Sequence, residues 1–223
     1  MRPDYDPRDD PPWAMQLVVR AEKAEPPTHD AVCAAAATAV VELLTDPRAA
    51  DPEGEWHEAV GEWEARRIRK VARRARGVRW PEVQPLPGVT VDVNGAEVRA
   101  FVPGPVSEVP PQIAKLQVAG LDLPPDEDPK PPPEPPYAAI ALNPDITITT
   151  GKAAAQCGHA AQLLLRQAAP ADVAAWLAGD VRVHLARDVP WRECVGRAAV
   201  AVRDGGFTEV PPGTMTAIAW IVR

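Results

Sequence analysis

The chain has 223 residues and a net charge of −7, enough for one large domain or two of about 110 residues. Its charge excludes bulk attraction to nucleic acid, so a polyanion needs a local basic patch. Cys33, Cys157 and Cys194 carry no metal-ligand or disulfide spacing, so neither metal nor cofactor is expected. No run of about 18 apolar residues is free of charge. Residues 1–12, acidic and proline-rich, lack the apolar core of a signal peptide. The expected setting is therefore cytoplasmic, with no membrane partner. Of 24 basic residues only five are lysine: Lys23, Lys70, Lys115, Lys130 and Lys152. A lysine in an arginine-rich chain is informative, because a compact ammonium and a planar guanidinium do different chemistry.

Residues 1–13, polar and rich in proline, predict a disordered arm. Residues 15–20 (Met-Gln-Leu-Val-Val-Arg) read as a buried strand. The alanine-rich stretch 30–44 reads as a helix buried on more than one side. A helical pattern follows from 55 to about 76, carrying Trp56, Trp63, Ile68 and Val71 on a charged background. Residues 89–102 alternate around Asn94-Gly95, a hairpin signal, and 113–118 read as a further short strand. From 121 to 136 proline and acid dominate, which forbids helix and ladder. This segment predicts an extended polyproline connector of about 40 Å, at roughly 3.1 Å per residue. Beyond it, 137–142 is a strand, 151–167 a buried alanine-rich helix and 181–186 a second strand. Residues 190–202 read as an amphipathic helix opened by Pro190, and 215–222 as the last strand.

The two halves can be laid on one another. Ala75-Arg-Gly-Val-Arg-Trp80-Pro-Glu-Val matches Ala186-Arg-Asp-Val-Pro-Trp191-Arg-Glu-Cys, and Ser107-Glu-Val-Pro-Pro111 matches Thr208-Glu-Val-Pro-Pro212. The strand and alanine-rich helix that open each half match as well. Three matches in one order predict a tandem duplication. The expected fold class is α/β, with two tandem modules at 14–121 and 137–223 joined by the linker 122–136. Each module is expected to be a strand–helix–strand–helix–strand unit, a mixed four-stranded-type sheet flanked by helices.

One constellation stands out. Residues 145–160 run Asp-Ile-Thr-Ile-Thr-Thr-Gly-Lys-Ala-Ala-Ala-Gln-Cys-Gly-His-Ala. On a helix, Lys152, Gln156 and His159 stand at i, i+4 and i+7, so one face at the helix start carries a cation, an amide and an imidazole. A lysine there adds to the positive end of the helix dipole. Asp204 and Thr208, in Asp204-Gly-Gly206-Phe-Thr208-Glu-Val-Pro-Pro212-Gly213-Thr214, occupy a loop that can bring a carboxylate and a hydroxyl to that face. Ester hydrolysis needs a group that positions and activates water and a group that holds the developing oxyanion.

The two segments together resemble the type II (archaeal and eukaryotic) peptidyl-tRNA hydrolases. The family's hallmarks are a Gly-Lys followed by Ala-Gln-Cys-x-His-Ala, then an Asp-x-Gly, a Thr and a Pro-Gly-Thr before the final strand. The resemblance covers about 137–223. It implies hydrolysis of the ester joining a peptide to the terminal ribose of tRNA, with peptidyl-tRNA as partner and no cofactor. On that reading Asp204 orients or deprotonates the water with help from Thr208, Lys152 and Gln156 stabilise the charge, and His159 belongs to the same face. Family members form homodimers, so the duplication implies a monomeric, intramolecular pseudo-dimer. The first repeat is its degenerate half: His29, Cys33, Ala36 and Pro103 fall opposite Lys152, Gln156, His159 and Asp204.

This chain departs from the family at four places. Thr150 replaces a second lysine, Phe207 a basic residue, Glu209 a glutamine, and Asn143-Pro144-Asp145 an Arg-x-Asp. Each change removes positive charge or adds negative charge. The compensating candidates for substrate binding are Arg66, Arg69, Lys70, Arg73 and Arg74, in the one dense basic run. They form a phosphate-tracking ridge if the run is helical, whereas the repeat alignment makes its later part a strand. Two rival readings follow from the lost charge: a catalytically inactive binding protein that recognises RNA or a protein partner, and a hydrolase of smaller esters or amides.

Overall fold

A computed structural model describes residues 11–206 and 209–223. Strand β1 (Trp13–Arg20) is followed by helix α1 (His29–Thr45), the short helices α2 (Pro47–Ala50) and α3 (His57–Glu64), and strand β2 (Arg69–Ala75). Helix α4 (Arg79–Val83), the hairpin of β3 (Gly88–Val93) and β4 (Ala96–Phe101), the two-residue β5 (Gly104–Pro105) and α5 (Pro111–Ala114) complete the first module. The second comprises β6 (Tyr137–Leu142), α6 (Thr150–Gln167), α7 (Pro170–Ala178), β7 (Val183–Leu185), α8 (Trp191–Val195), β8 (Val200–Arg203) and β9 (Met215–Val222).

Both sheets are mixed and share one strand plan. The first runs β2-β1-β4-β3, with β5 added beside β1, and the second runs β7-β6-β9-β8. In each, the first strand pairs in parallel with the strand after the long helix and antiparallel with the last strand. The parallel neighbour demands a crossover, which α1 and α6 supply. The two helices pack on each other more extensively than any other pair of elements. Helix α1 lies on β3 and β4 and reaches β7 of the other sheet, while α6 lies on β8 and β9 and reaches β2. This explains why both are alanine-rich: a helix between two sheets has no solvent face to make polar. On α1, Val32, Ala36 and Leu43 join the first core and Cys33, Ala37 and Val41 the second. A third cluster, with Trp80, Phe101 and Ile113, covers the outer face of the first sheet.

The tryptophans mark the correspondence of the modules. Trp63 of α3 and Trp176 of α7 are both fully buried. Each indole donates to the carbonyl six residues on, Trp63 to Arg69 at 3.0 Å and Trp176 to Arg182 at 2.9 Å. The opening strand–helix pairs hold like places in the two sheets, and Trp80 and Trp191 lie on the short helices α4 and α8, whereas Ser107–Pro111 follow the hairpin strands β3 and β4 and residues 209–212 lie between β8 and β9.

Several expected elements differ. Strand β1 begins at Trp13, so the end of the expected arm is part of the sheet, while residues 1–10 lie outside the described residues. The helix expected over 55–76 stops at Glu64, and after Ile68, at φ +36°, the chain enters β2. Arginine stems masked the two-residue alternation that buries Lys70 and Ala72 there. The strand expected over 113–118 is the helix α5, started by Pro111 at its first turn, with one bridge from Gln117 to Arg74. The helix expected over 190–202 ends at Val195 with Gly196 as its cap, and the remainder is β8. Helix α7, absent from the sequence reading, also opens on a proline. The connector has no ladder, but it is tied to both modules. Leu121 is buried and its carbonyl accepts from Gly151 N–H, while the Pro124 carbonyl accepts from His29 N–H.

Trp63→Phe and Trp176→Phe each remove one buried hydrogen bond and little volume. Each is expected to lower stability by about 1–2 kcal/mol in chemical denaturation. A cost confined to one of the two would contradict the equivalence of the modules.

Candidate active site

Helix α6 starts at the carboxyl end of β6, and Thr149 is its N-cap, accepting from Lys152 N–H at 3.3 Å. Glu209 binds the cap from outside: its carboxylate accepts from Thr149 N–H at 2.7 Å and from the Thr149 hydroxyl at 2.8 Å. A carboxylate at this end of a helix is favoured by the exposed N–H groups and the dipole. The glutamate that departs from the family pattern thus fastens the loop before β9 to the first turn of α6.

Asp204 follows β8 directly. Its N–H donates to the Thr214 carbonyl at 2.9 Å and its carbonyl accepts from Gly213 N–H at 2.7 Å, so the backbone is clamped across the loop. The side chain faces α6. Oδ2 accepts from Lys152 Nζ at 2.5 Å and from Gln156 Nε2 at 2.8 Å, and Oδ1 accepts from Gly206 N–H at 2.7 Å. Gln156 is in turn oriented by the Thr216 hydroxyl, which donates to Oε1 at 2.6 Å from inside β9. With that oxygen fixed, the amide nitrogen must face the carboxylate. Asp204, Gln156 and Thr216 are all buried.

The electrostatics settle the charge state. Burial works against the ionised form of Asp204, but the Lys152 ammonium, the Gly206 N–H and the Gln156 amide outweigh it and hold the carboxyl below its ordinary value. A carboxylate offers about four lone-pair positions. Among the described residues three are taken, two on Oδ2 and one on Oδ1. The pattern is a buried, ionised, strongly oriented acceptor beside a cation.

Gly206 is required by its surroundings. It sits at φ +76°, and a Cβ there would lie 2.4 Å from Pro212 Cγ. A side chain would therefore displace the loop that gives Asp204 its Gly206 bond.

The structure brings Lys152, Gln156 and Asp204 together. Thr208 lies outside the described residues, as does Phe207. His159 faces elsewhere: its Nδ1 is 3.3 Å from Lys70 Nζ of the first module. Burial, then Lys70 and Lys152, push its pKa well below the ordinary value, so the imidazole is neutral. Lys70 itself is buried, its pKa also pushed well down by burial. It donates to Gln162 Oε1 at 2.5 Å, and Gln162 donates to Glu64 at 3.0 Å.

The other basic candidates do not form a helical ridge, because their segment is a strand. Arg66 is buried and pairs with Glu62 at 2.6 Å. Arg69 starts β2 and its carbonyl takes the Trp63 indole. Arg73 donates to Gln16 at 2.8 Å and to the Leu116 carbonyl at 3.0 Å, and Arg74 donates to Gln117 at 2.8 Å and to the Gly120 carbonyl at 3.0 Å.

Sequence reasoning missed Thr216 and the Gly206 N–H. Thr216 carried a signal, a polar residue on the inward face of an apolar strand, which must find a partner when buried. The Gly206 bond depends on loop conformation and had none.

Thr28 caps α1 as Thr149 caps α6, so Ala31, Ala35 and Thr38 stand where α6 has Lys152, Gln156 and His159. By strand order Asn94 follows β3 where, in the second sheet, Asp204 follows β8.

A peptidyl-tRNA hydrolase from Pyrobaculum aerophilum is 37% identical to this chain over 93 residues, covering 35% of this chain and 78% of that protein. That share of the present chain suffices for one module and not for both. No protein-family model and no solved structure matches.

Thr216→Val keeps the shape of the strand and removes the hydroxyl that orients Gln156. The expected loss of stability is about 1–2 kcal/mol, with a larger fractional loss of any activity that depends on Gln156. Gly206→Ala is expected to cost about 1–3 kcal/mol. Thermal denaturation and an amide shift at residue 206 check both, and unchanged values would contradict the described loop.

Proposed function

The chain belongs to the peptidyl-tRNA hydrolase family, and on that premise we propose that its second module hydrolyses the ester between a peptide and the terminal ribose of tRNA. The observation that carries this reading is the convergence of Lys152 and Gln156 on the ionised Asp204 carboxylate.

A carboxylate held below its ordinary pKa is a weak base, so its main task is to orient. Oδ1, which accepts one bond from the described residues, takes one hydrogen of a water and turns the water oxygen toward the ester carbonyl. As the carbon–oxygen bond forms, negative charge grows on the carbonyl oxygen, where the Lys152 ammonium supplies the opposing field. The proton released from water passes by way of Asp204 to the ribose oxygen as the ester bond breaks. Thr208 is assigned to help position that water. Gln156 and Thr216 act through geometry, keeping the carboxylate from rotating.

The two modules are read as a tandem duplication folded into an intramolecular pseudo-dimer. Matching strand order, the paired tryptophan hydrogen bonds and the two threonine caps support this. The first module, with Ala31, Ala35 and Asn94 at the counterpart positions, is then a degenerate copy.

A second reading is favoured by one observation. Glu209 occupies the N-terminal end of α6, where a substrate phosphate would otherwise be attracted. A catalytically inactive binding protein on the hydrolase fold fits that arrangement.

The deciding experiment is release of labelled N-acetyl-aminoacyl residue from tRNA by the wild type, Lys152→Ala and Asp204→Asn. Release by the wild type and a loss of roughly 100-fold or more in both variants is expected. No release by folded wild type would leave the binding protein. The pH dependence has a definite sign. Because the Asp204 pKa is depressed, kcat/KM should hold from neutral pH down to about pH 4, the ordinary carboxylate value, and fall only below it. By linkage, the stability that Asp204 contributes is present above the unfolded pKa and is lost as pH falls through the folded one. A fall in kcat/KM beginning near pH 6 would implicate a different group.

A further inference from the structure

Two buried nucleophiles in the layer between the modules take no part in the hydrolytic site. Cys33 lies on α1 and Cys157 on α6, both fully buried in one core cluster where those helices pack. The third cysteine, Cys194, is on α8 and partly exposed. Next to Cys157, Gly158 leaves so little room that a Cβ would lie 3.1 Å from Val40 of α1. Backbones this close suit the short span of a disulfide, roughly 4.4–6.8 Å between Cα atoms.

The two thiols interact directly. The contact with Cys157, and then burial, keep Cys33 protonated by pushing its pKa well above the ordinary thiol value. A thiol held in that form is a poor nucleophile unless a base takes its proton. His29, one turn earlier on α1, supplies the base: Nε2 is 3.7 Å from Cys33 Sγ, and Nδ1 is 2.9 Å from the Thr150 hydroxyl of α6. Burial lowers the His29 pKa, so the ring is neutral. With Nδ1–H donated to Thr150, the Nε2 lone pair faces the thiol. The same ring lines a cavity of about 340 Å³ where the modules meet, which gives a small solute a path to it.

We propose that Cys33 and Cys157 are an oxidation site at which hydrogen peroxide forms a disulfide between the two modules, with His29 as the base. The inference stands apart from the hydrolase reading. His29 Nε2 takes the Cys33 proton, and the sulfur attacks one peroxide oxygen as the O–O bond breaks. The departing hydroxide takes the proton back from His29 and leaves as water, so that Cys33 becomes a sulfenic acid. The Cys157 sulfur then displaces the remaining oxygen, which leaves with the Cys157 proton as a second water. Two thiols are oxidised to one disulfide and one peroxide is reduced to two waters. The product joins α1 to α6 covalently and encloses residues 34–156. A thiol partner at contact distance captures the sulfenic acid before a second peroxide oxidises it irreversibly.

The test uses the full chain with Cys194→Ser, which leaves the pair as its only thiols, treated with hydrogen peroxide while folded. Both thiols are expected to disappear in step. Mass spectrometry after trypsin should find residues 24–48 joined to 153–166 in a chain that remains monomeric, and dithiothreitol should separate them. The link constrains the unfolded chain, so the thermal midpoint should rise by about 5–10 °C. His29→Ala should slow the reaction at least tenfold, roughly the smaller end of what a positioned base contributes. Should that variant not fold, His29→Gln reads the same rate. Two thiols that stay free under peroxide that oxidises Cys194 of the wild type overturn the proposal. So does a link found only between separate chains, or one that forms at an unchanged rate in the folded His29 variants.

Discussion

The contact of α1 with α6 is the constraint on which the rest depends. Each helix is the crossover of its own sheet and also covers part of the other module's sheet, so neither core is complete without the opposite module. Such a layer needs small side chains on several faces at once, which is why alanine dominates both helices. Gly158 marks the closest approach: a Cβ there would lie 3.1 Å from both Val40 on α1 and Lys70 on β2. The buried Lys70 follows from the same packing. Its Nζ crosses from the first sheet to Gln162 and His159 on α6, exchanging hydration for hydrogen bonds at the junction.

Fixing α6 between two sheets also fixes the chemistry. Its first turn is held by the Thr149 cap, by the Leu121 carbonyl on Gly151 N–H and by the Glu209 clamp, so Lys152 and Gln156 project from a rigid frame. The loop after β8 then brings Asp204 to them. An ionised carboxylate in a buried place is tolerated only with dedicated donors, and three among the described residues come from α6 and from its own loop. Positioning is supplied before any substrate arrives, which is what electrostatic preorganisation requires.

Much of this was legible in the sequence. The two strand–helix openings, the Asn94-Gly95 hairpin with both residues at positive φ, and the last strand follow from apolar runs and turn chemistry that local rules read directly. Lys152 and Gln156 were legible as neighbours because spacing on a helix is fixed by its pitch, and Asp204 because it lies on a loop that can reach that face. His159 shares that face by spacing, yet it is drawn to Lys70, a contact between modules that spacing within one helix does not reveal. Strand β2 stayed open between helix and strand for a related reason: its inward positions include a lysine whose partners lie 89 and 92 residues away. Thr216 and Gly206 act through tertiary hydrogen bonds that no local pattern announces.

The central claim is that Asp204 orients water and does not itself attack the ester. Single-turnover hydrolysis with enzyme in excess, run in heavy-oxygen water, tests it most directly. The predicted result is one solvent oxygen in the carboxyl group of the released peptide from the first turnover and none in Asp204. Unlabelled product with the label found in Asp204 would mean a covalent acyl-enzyme, and would contradict the account.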